Sequence, residues 1–175
     1  HPNLYTLDTV LSHGDTTIEH QSRNIGIRSF VFNDKNELLI NGEKTFLRGV
    51  NRHQEYPFVG YATSAQADYR DAVKIKSAGF DYVRLSHYPH STAFMKAADE
   101  LGLVLLDAIL GWQYYNPTKE FEAHTLKACA DLLRRDRNHA SVIAWECSLN
   151  ESDMPGEFIA ALSDTVHAEY PGAYS

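Results

Sequence analysis

The sequence predicts an α/β fold of the (β/α)8 TIM-barrel type, with about the first four β/α units present and the last strands of a β-sandwich before them. Three observations predict it. From Thr45 onward, strand-like and helix-like apolar patterns alternate, which argues for parallel strands joined by crossover helices. Polar residues capable of chemistry follow each strand pattern. Before Asn41-Gly42 the punctuation is strand and turn only. Residues 1–40 are therefore assigned to the end of a β-sandwich domain, and residues 41–175 to the N-terminal half of a barrel.

Along the first region, Leu4-Tyr5-Thr6-Leu7, Thr9-Val10-Leu11 and Thr16-Thr17-Ile18 flank the polar turn Ser12-His13-Gly14-Asp15, and Ile25 to Phe32 alternates in a β-like way. Asp34-Lys35-Asn36 and Asn41-Gly42 are turn signals, the second a strong hairpin cue. The barrel region then reads as strand 46–50, helix 64–78 stopped by Gly79, and strand 80–85. Next come helix 91–101 with Gly102 just past its end, strand 103–106, helix 119–134 and strand 142–145. A last helix opens at Pro155, with Ile159, Leu162 and Val166 at helical spacing.

Composition narrows the function classes. At 175 residues, 43% hydrophobic and 11% aromatic, the chain carries enough apolar material for a sizeable core. The net charge is −7, and the basic residues are scattered apart from Arg134-Arg135-Asp136-Arg137, which reads as a solvated helix end. Nothing tracks phosphates, so nucleic acid is not an expected partner. Nor is a membrane, because no run approaches the roughly 18 apolar residues of a span. Cys129 and Cys147 read as buried thiols and leave the compartment open.

The chemistry-bearing groups fall where a barrel gathers its active site, after the C-terminal ends of the strands. Asn51-Arg52-His53 follows the first, Ser86-His87-Tyr88-Pro89 the second, Asp107 and later Trp112 the third, and Asn150-Glu151 the fourth. A carboxylic acid, imidazoles, amide and guanidinium donors and aromatic platforms suit a sugar, whose hydroxyls need directional hydrogen bonds and whose ring faces pack on aromatics.

At these residues the chain resembles glycoside hydrolase family 2, which includes β-galactosidases and β-glucuronidases. The resemblance rests on Arg48-Gly49-Val50-Asn51-Arg52-His53, Val83-Arg84-Leu85-Ser86-His87-Tyr88-Pro89 and the stretch from Arg137-Asn138-His139 through Trp145 to Asn150-Glu151. Gly26-Ile27-Arg28 is similar to the element that closes the family's immunoglobulin-like domain. The resemblance implies a retaining hydrolase that cleaves terminal β-linked sugars, most like a β-galactosidase. In it Glu151 would be the general acid/base, Asn150 would hold the hydroxyl next to the anomeric carbon, and His53 and His87 would contact the sugar. Arg84 would orient neighbouring carboxylates, and Trp112 would be a stacking surface. The nucleophilic Glu has no counterpart after Glu151, where Glu157 and Glu169 lie on a helix pattern, so it is expected beyond the chain end. Ala108 stands after Asp107 where relatives commonly have an acidic pair, so no magnesium or other cofactor is expected.

Other readings stay open at this point. A β-glucuronidase or another β-glycosidase of the same family would use the same motifs. A non-catalytic carbohydrate-binding remnant would keep the aromatics and His87. A metal-dependent barrel hydrolase would use His53, His87 and Asp107 as ligands. Glu151 alone could be a carboxylate favoured by a helix N-terminus. Four units leave sheet edges unpaired, so the missing half of the barrel, or a homo-oligomer partner, is expected to cover them.

Overall fold

The computed structural model describes residues 2–110, 114–148 and 151–175. The first two strands, β1 (Leu4–His13) and β2 (Thr16–Gly26), pair antiparallel as a long hairpin turning at Asp15, with Gly14 at positive φ. A three-stranded antiparallel sheet follows, made of β3 (Phe30–Phe32), β4 (Leu38–Ile40) and β5 (Glu43–Lys44). Asn41 and Gly42 join β4 to β5 with φ of 52° and 82°. Two successive positive φ values are what a two-residue type I′ hairpin demands, and Asn-Gly tolerates them best.

The expected alternation from Ile25 to Phe32 is broken by Ile27, Arg28 and Ser29, which belong to no strand. The physical reason is Arg28. Its Nε donates to the Ala140 carbonyl at 3.2 Å and its Nη2 to the Val142 carbonyl at 2.9 Å, while the guanidinium lies 4.6 Å from the Phe30 ring centroid. The chain leaves the hairpin here to seat a cation on the foot of the barrel sheet.

That sheet contains four parallel strands in sequence order: β6 (Gly49–Arg52), β7 (Tyr82–Leu85), β8 (Val104–Ala108) and β9 (Val142–Glu146). Helices α1 (Ala65–Ser77), α2 (Thr92–Leu101), α3 (Lys119–Asp136) and α4 (Gly156–Glu169) follow the strands in turn. This is the predicted barrel-type alternation, with boundaries moved by a few residues. The first strand starts at Gly49 rather than Phe46, and Phe46 is 84% exposed. Gly49 is required there. A Cβ on it would sit 2.6 Å from the Tyr82 carbonyl oxygen, so only glycine lets β6 approach β7 this closely.

Capping explains where the helices begin. Ser64, Ser91 and Thr118 accept hydrogen bonds from the backbone N–H groups of Ala67, Phe94 and Phe121, satisfying donors that have no partner inside the helix. Pro155, expected in the first turn of α4, is instead the residue just before it and makes no side-chain cap. Gly102 ends α2 in the left-handed conformation, at φ 67°, where a side chain would be strained.

The core lies between the sheet and the helices. Val83, Leu85, Leu105, Val142 and Trp145 from the strands meet Phe94, Met95, Cys129, Leu133, Leu162 and Val166 from the helices, all buried. Each large apolar side chain so buried contributes about 2 kcal/mol. Phe121 and Leu126 of α3 pack only partly against this core, and Tyr69 and Val73 of α1 remain exposed, so the buried stripes of these two helices are narrow.

The arginine run at the end of α3 is exposed at Arg134 and Arg135, as its charge suggests, and it also ties neighbouring elements together. Arg134 pairs with Glu169 of α4, Arg137 donates to the Glu169 carbonyl at 2.6 Å, and Arg135 reaches Asp136 and the His90 carbonyl. His139 and the backbone N–H of Ser141 both bond Asp99, bracing the entry to β9. Beyond the helices, the edge of β9 takes one bridge from the C-terminal segment, with Trp145 N–H donating to the Tyr174 carbonyl at 2.9 Å. Among the described residues, no helix is long and apolar enough to cross a membrane.

Candidate active site

Strand parity sorts the polar residues of the barrel into two sets. The pairing aligns Asn51 with Arg84, Arg84 with Leu106, and Leu106 with Ala144, so these residues share one face of the sheet, with Glu146 two places beyond Ala144. The intervening residues, Arg52, Leu85, Asp107 and Trp145, face the helices. A site for substrate belongs to the first face, at the strand ends.

On that face, Arg84 and Glu146 form a two-pronged ion pair. Nε donates to Oε2 at 3.2 Å and Nη2 donates to Oε1. The Arg84 guanidinium is held above its ordinary range, first by this hydrogen-bonded carboxylate and also by the charge of Glu151. Glu151 itself lies exposed in the turn between β9 and α4. His87, buried to 8% exposure, has Nδ1 3.8 Å from Glu146 Oε2. The His53 ring meets it edge-on, with centroids 5.6 Å apart, and lies 6.3 Å from Tyr88. Tyr61 adds a further edge contact to Tyr88 at 5.2 Å.

Of the residues singled out from the sequence, the structure therefore brings together His53, Arg84 and His87, with Glu151 within electrostatic reach of Arg84. Trp112 and Asn150 lie outside the described residues. Glu146 was not singled out. A single acidic residue closing an apolar strand reads as a strand end, and only the pairing register shows that it shares a face with Arg84.

The other face holds a different kind of chemistry. Arg52, 5% exposed, bonds Asp68 at 2.8 Å and Asp71 at 2.9 Å and stacks 4.1 Å over the Phe94 ring. Asp68 in turn accepts from Ser91 Oγ at 2.6 Å and from Thr63. This network ties the end of β6 to α1 and α2, directly behind His53. Asp107 is wholly buried. Burial first, then the charge and hydrogen bond of Asp136, push its carboxyl well above the usual carboxylate range. The parity that buries Asp107 against the helices separates it from His53 and His87, so these three do not converge as metal ligands. Among the described residues no group of three or more His, Cys, Asp and Glu is placed to hold a metal ion.

His90, three residues beyond His87, is likewise part of the scaffold. Its ring nitrogens lie 3.0 Å from the Tyr88 carbonyl and 3.1 Å from the Arg52 carbonyl, and the ring stacks on Tyr88. The carbonyls favour a charged ring, but burial outweighs them and, helped by Arg52, lowers its pKa to about 4. The unfolded chain takes up this proton below about pH 6.5, and the folded one only below about 4. Stability is thus expected to fall as pH drops through that window, by up to about 3 kcal/mol from this group. Urea unfolding between pH 7 and pH 4 should show a shallower slope in His90→Gln than in the parent. Equal slopes would remove His90 as the cause.

A cavity of about 750 Å³ opens at the opposite end of the sheet, between the hairpin base and the strand feet, lined by Gly26, Arg28, Lys76, Asp81, Asp99 and Ser141. It shares no residue with the cluster around Arg84. The cluster of Arg84, Glu146, His87 and His53 lies instead at the C-terminal strand ends, where barrel enzymes work.

Parallel strands alternating with helices, with these groups at the strand ends, define a domain of the (β/α)-barrel glycosidase class. More particularly, the chain belongs to glycosyl hydrolase family 2, whose TIM barrel domain matches residues 31–171. The match begins at Val31 and so takes in the small β3–β4–β5 sheet. Among curated relatives, the chain is 35% identical over 170 residues to a β-galactosidase of Thermoanaerobacter pseudethanolicus, covering 95% of this chain and 22% of the relative. It is 31% identical over 178 residues to a putative β-glucuronidase of Formosa agariphila, with coverage of 95% and 22%. Among solved structures, the apo structure of Bacteroides uniformis β-glucuronidase 3 superposes with a TM-score of 0.89 at 28% identity, covering 98% of this chain and 23% of that one. The chain thus spans between a fifth and a quarter of the length of these relatives.

Proposed function

We propose that this chain supplies the acid/base side of a retaining β-glycosidase site that cleaves terminal β-linked sugars, with β-galactosides as the preferred class. The observation that carries the reading is the position of Glu151. It stands just after the fourth strand, within the field of Arg84 and on the end of the sheet where His53 and His87 meet. In this reading Glu151 protonates the glycosidic oxygen as the bond breaks, then takes a proton from water in the second step. A nucleophilic carboxylate about 5 Å from it, contributed from outside this segment, forms the covalent intermediate. His53 and His87 hold sugar hydroxyls at the reacting ring, and Asn150 and Trp112 are assigned the neighbouring hydroxyl and a stacking surface.

The Arg84–Glu146 pair favours a neutral sugar. A glucuronide carries a carboxylate that needs a cation, and the guanidinium at this end already has its counter-charge. The relatives include a β-galactosidase and a putative β-glucuronidase, so the family alone does not choose between them.

Residues 1–40 are read as the closing strands of an immunoglobulin-like sandwich. The β1–β2 hairpin leaves Tyr5, Leu7 and Leu11 about half exposed at alternate positions, a surface that a second sheet would cover.

The test is hydrolysis of paired aryl β-galactosides and β-glucuronides by the full-length protein, with the first-formed product followed by NMR. A β-galactose product of retained configuration is expected. An inverted product would overturn the double displacement, and a preference for the glucuronide would overturn the substrate class.

A further inference from the structure

We infer that Glu146 is a positioning residue of the catalytic site, a carboxylate that locks Arg84 in place across the sheet and holds His87 and Arg84 in register with the strand that delivers Glu151. The inference rests on the reading of Glu151 as the acid. Its geometric basis is independent of that reading.

β7 and β9 are not neighbours, because β8 runs between them. The Arg84–Glu146 pair therefore spans a whole strand, passing over Leu106, and joins the strand that leads to His87 directly to the one that leads to Glu151. No backbone ladder joins these two strands directly; β8 pairs with both. The pair is two-pronged, which fixes the plane of the guanidinium as well as its distance. Its side chains are largely buried, at 26% and 14% exposure, so solvent screens it little. His87 Nδ1 completes the group at 3.8 Å. Tyr82 and Cys147 also lie in the field of Glu146, and Glu151 lies in the field of Arg84.

Neutralising Glu146 would have two consequences. Arg84 would lose the partner that fixes its plane, and with one negative charge removed the field at Glu151 would become more positive. A cation nearby favours the ionised carboxylate, so less of the acid would be protonated at neutral pH. The basic limb of the kcat/KM profile, which reports the free enzyme's acid, should move to lower pH.

The experiment compares Glu146→Gln, Glu146→Asp, Arg84→Gln and the double variant Glu146→Gln/Arg84→Gln in the full-length protein, on an aryl glycoside with a poor leaving group. Glu146→Gln is expected to lower kcat/KM by about tenfold to a hundredfold and to move the basic limb down by about half a unit to one unit. Glu146→Asp, which keeps the charge, should leave the limb in place and lose less rate. The double variant should be little worse than Arg84→Gln alone, because the carboxylate acts through the guanidinium. A basic limb unmoved in Glu146→Gln, whatever the rate, or additive losses in the double variant, would overturn the positioning role. Failure of the underlying reading looks different. Glu151→Gln would then slow good and poor leaving groups equally, whatever the Glu146 variants do.

Discussion

Replacing Glu151 with Gln in the full-length protein is expected to lower the turnover of a β-glycoside with a poor leaving group by about 10²–10⁴-fold, the usual worth of a positioned general acid/base. The isosteric amide keeps the turn after β9 and removes only the transferable proton. With a good leaving group such as a dinitrophenolate, cleavage needs no proton and the first step should be nearly unaffected. The second step, which needs water deprotonated, then becomes limiting. The check is a series of aryl glycosides of graded leaving-group pKa, assayed in steady state and in the pre-steady-state burst. Parallel loss across the whole series would remove Glu151 from the acid role and return the site to a binding function.

The second large effect lies behind the site. Asp68, 1% exposed, balances the buried Arg52 and takes hydrogen bonds from Ser91 and Thr63. Asp68→Ala leaves that guanidinium with only Asp71, and a buried charge stripped of a partner costs about 3–5 kcal/mol. Urea denaturation should show a loss of this size. Arg52→Met/Asp68→Leu, which removes both charges and keeps apolar volume, should recover much of it. A loss below about 1 kcal/mol in Asp68→Ala would mean that Asp71 and Tyr56, bonded to each other at 2.6 Å, carry the network without Asp68.

Much of the barrel architecture can be read along the chain because its signals are local. Ser64, Ser91 and Thr118 announce helix starts, Gly102 announces a stop, and Asn41-Gly42 a tight hairpin; each needs only its immediate neighbours. The division of polar residues between the two sheet faces is legible only in part. Arg52 and His53 are adjacent in one motif, yet one is locked among helices and the other meets His87. Glu146 and Glu151 are five positions apart, and only the first grips Arg84. Telling such residues apart requires the register between strands, which is set by residues 22 to 38 positions distant and leaves no local trace. The departure of Arg28 from a continuous strand has the same origin, since its partners lie more than a hundred residues away.

That separation also sets a timetable. Arg28 is made early, but the carbonyls that receive it belong to Ala140 and Val142, after three of the four helices have been built. At ribosomal speeds of about 5–20 residues per second, its guanidinium waits on the order of ten seconds for its partners to exist. Until then the hairpin and the growing barrel units lack this clasp. The clasp closes once the strand that leads to Glu151 has been laid down, so the hairpin is anchored by the completion of the fourth barrel strand.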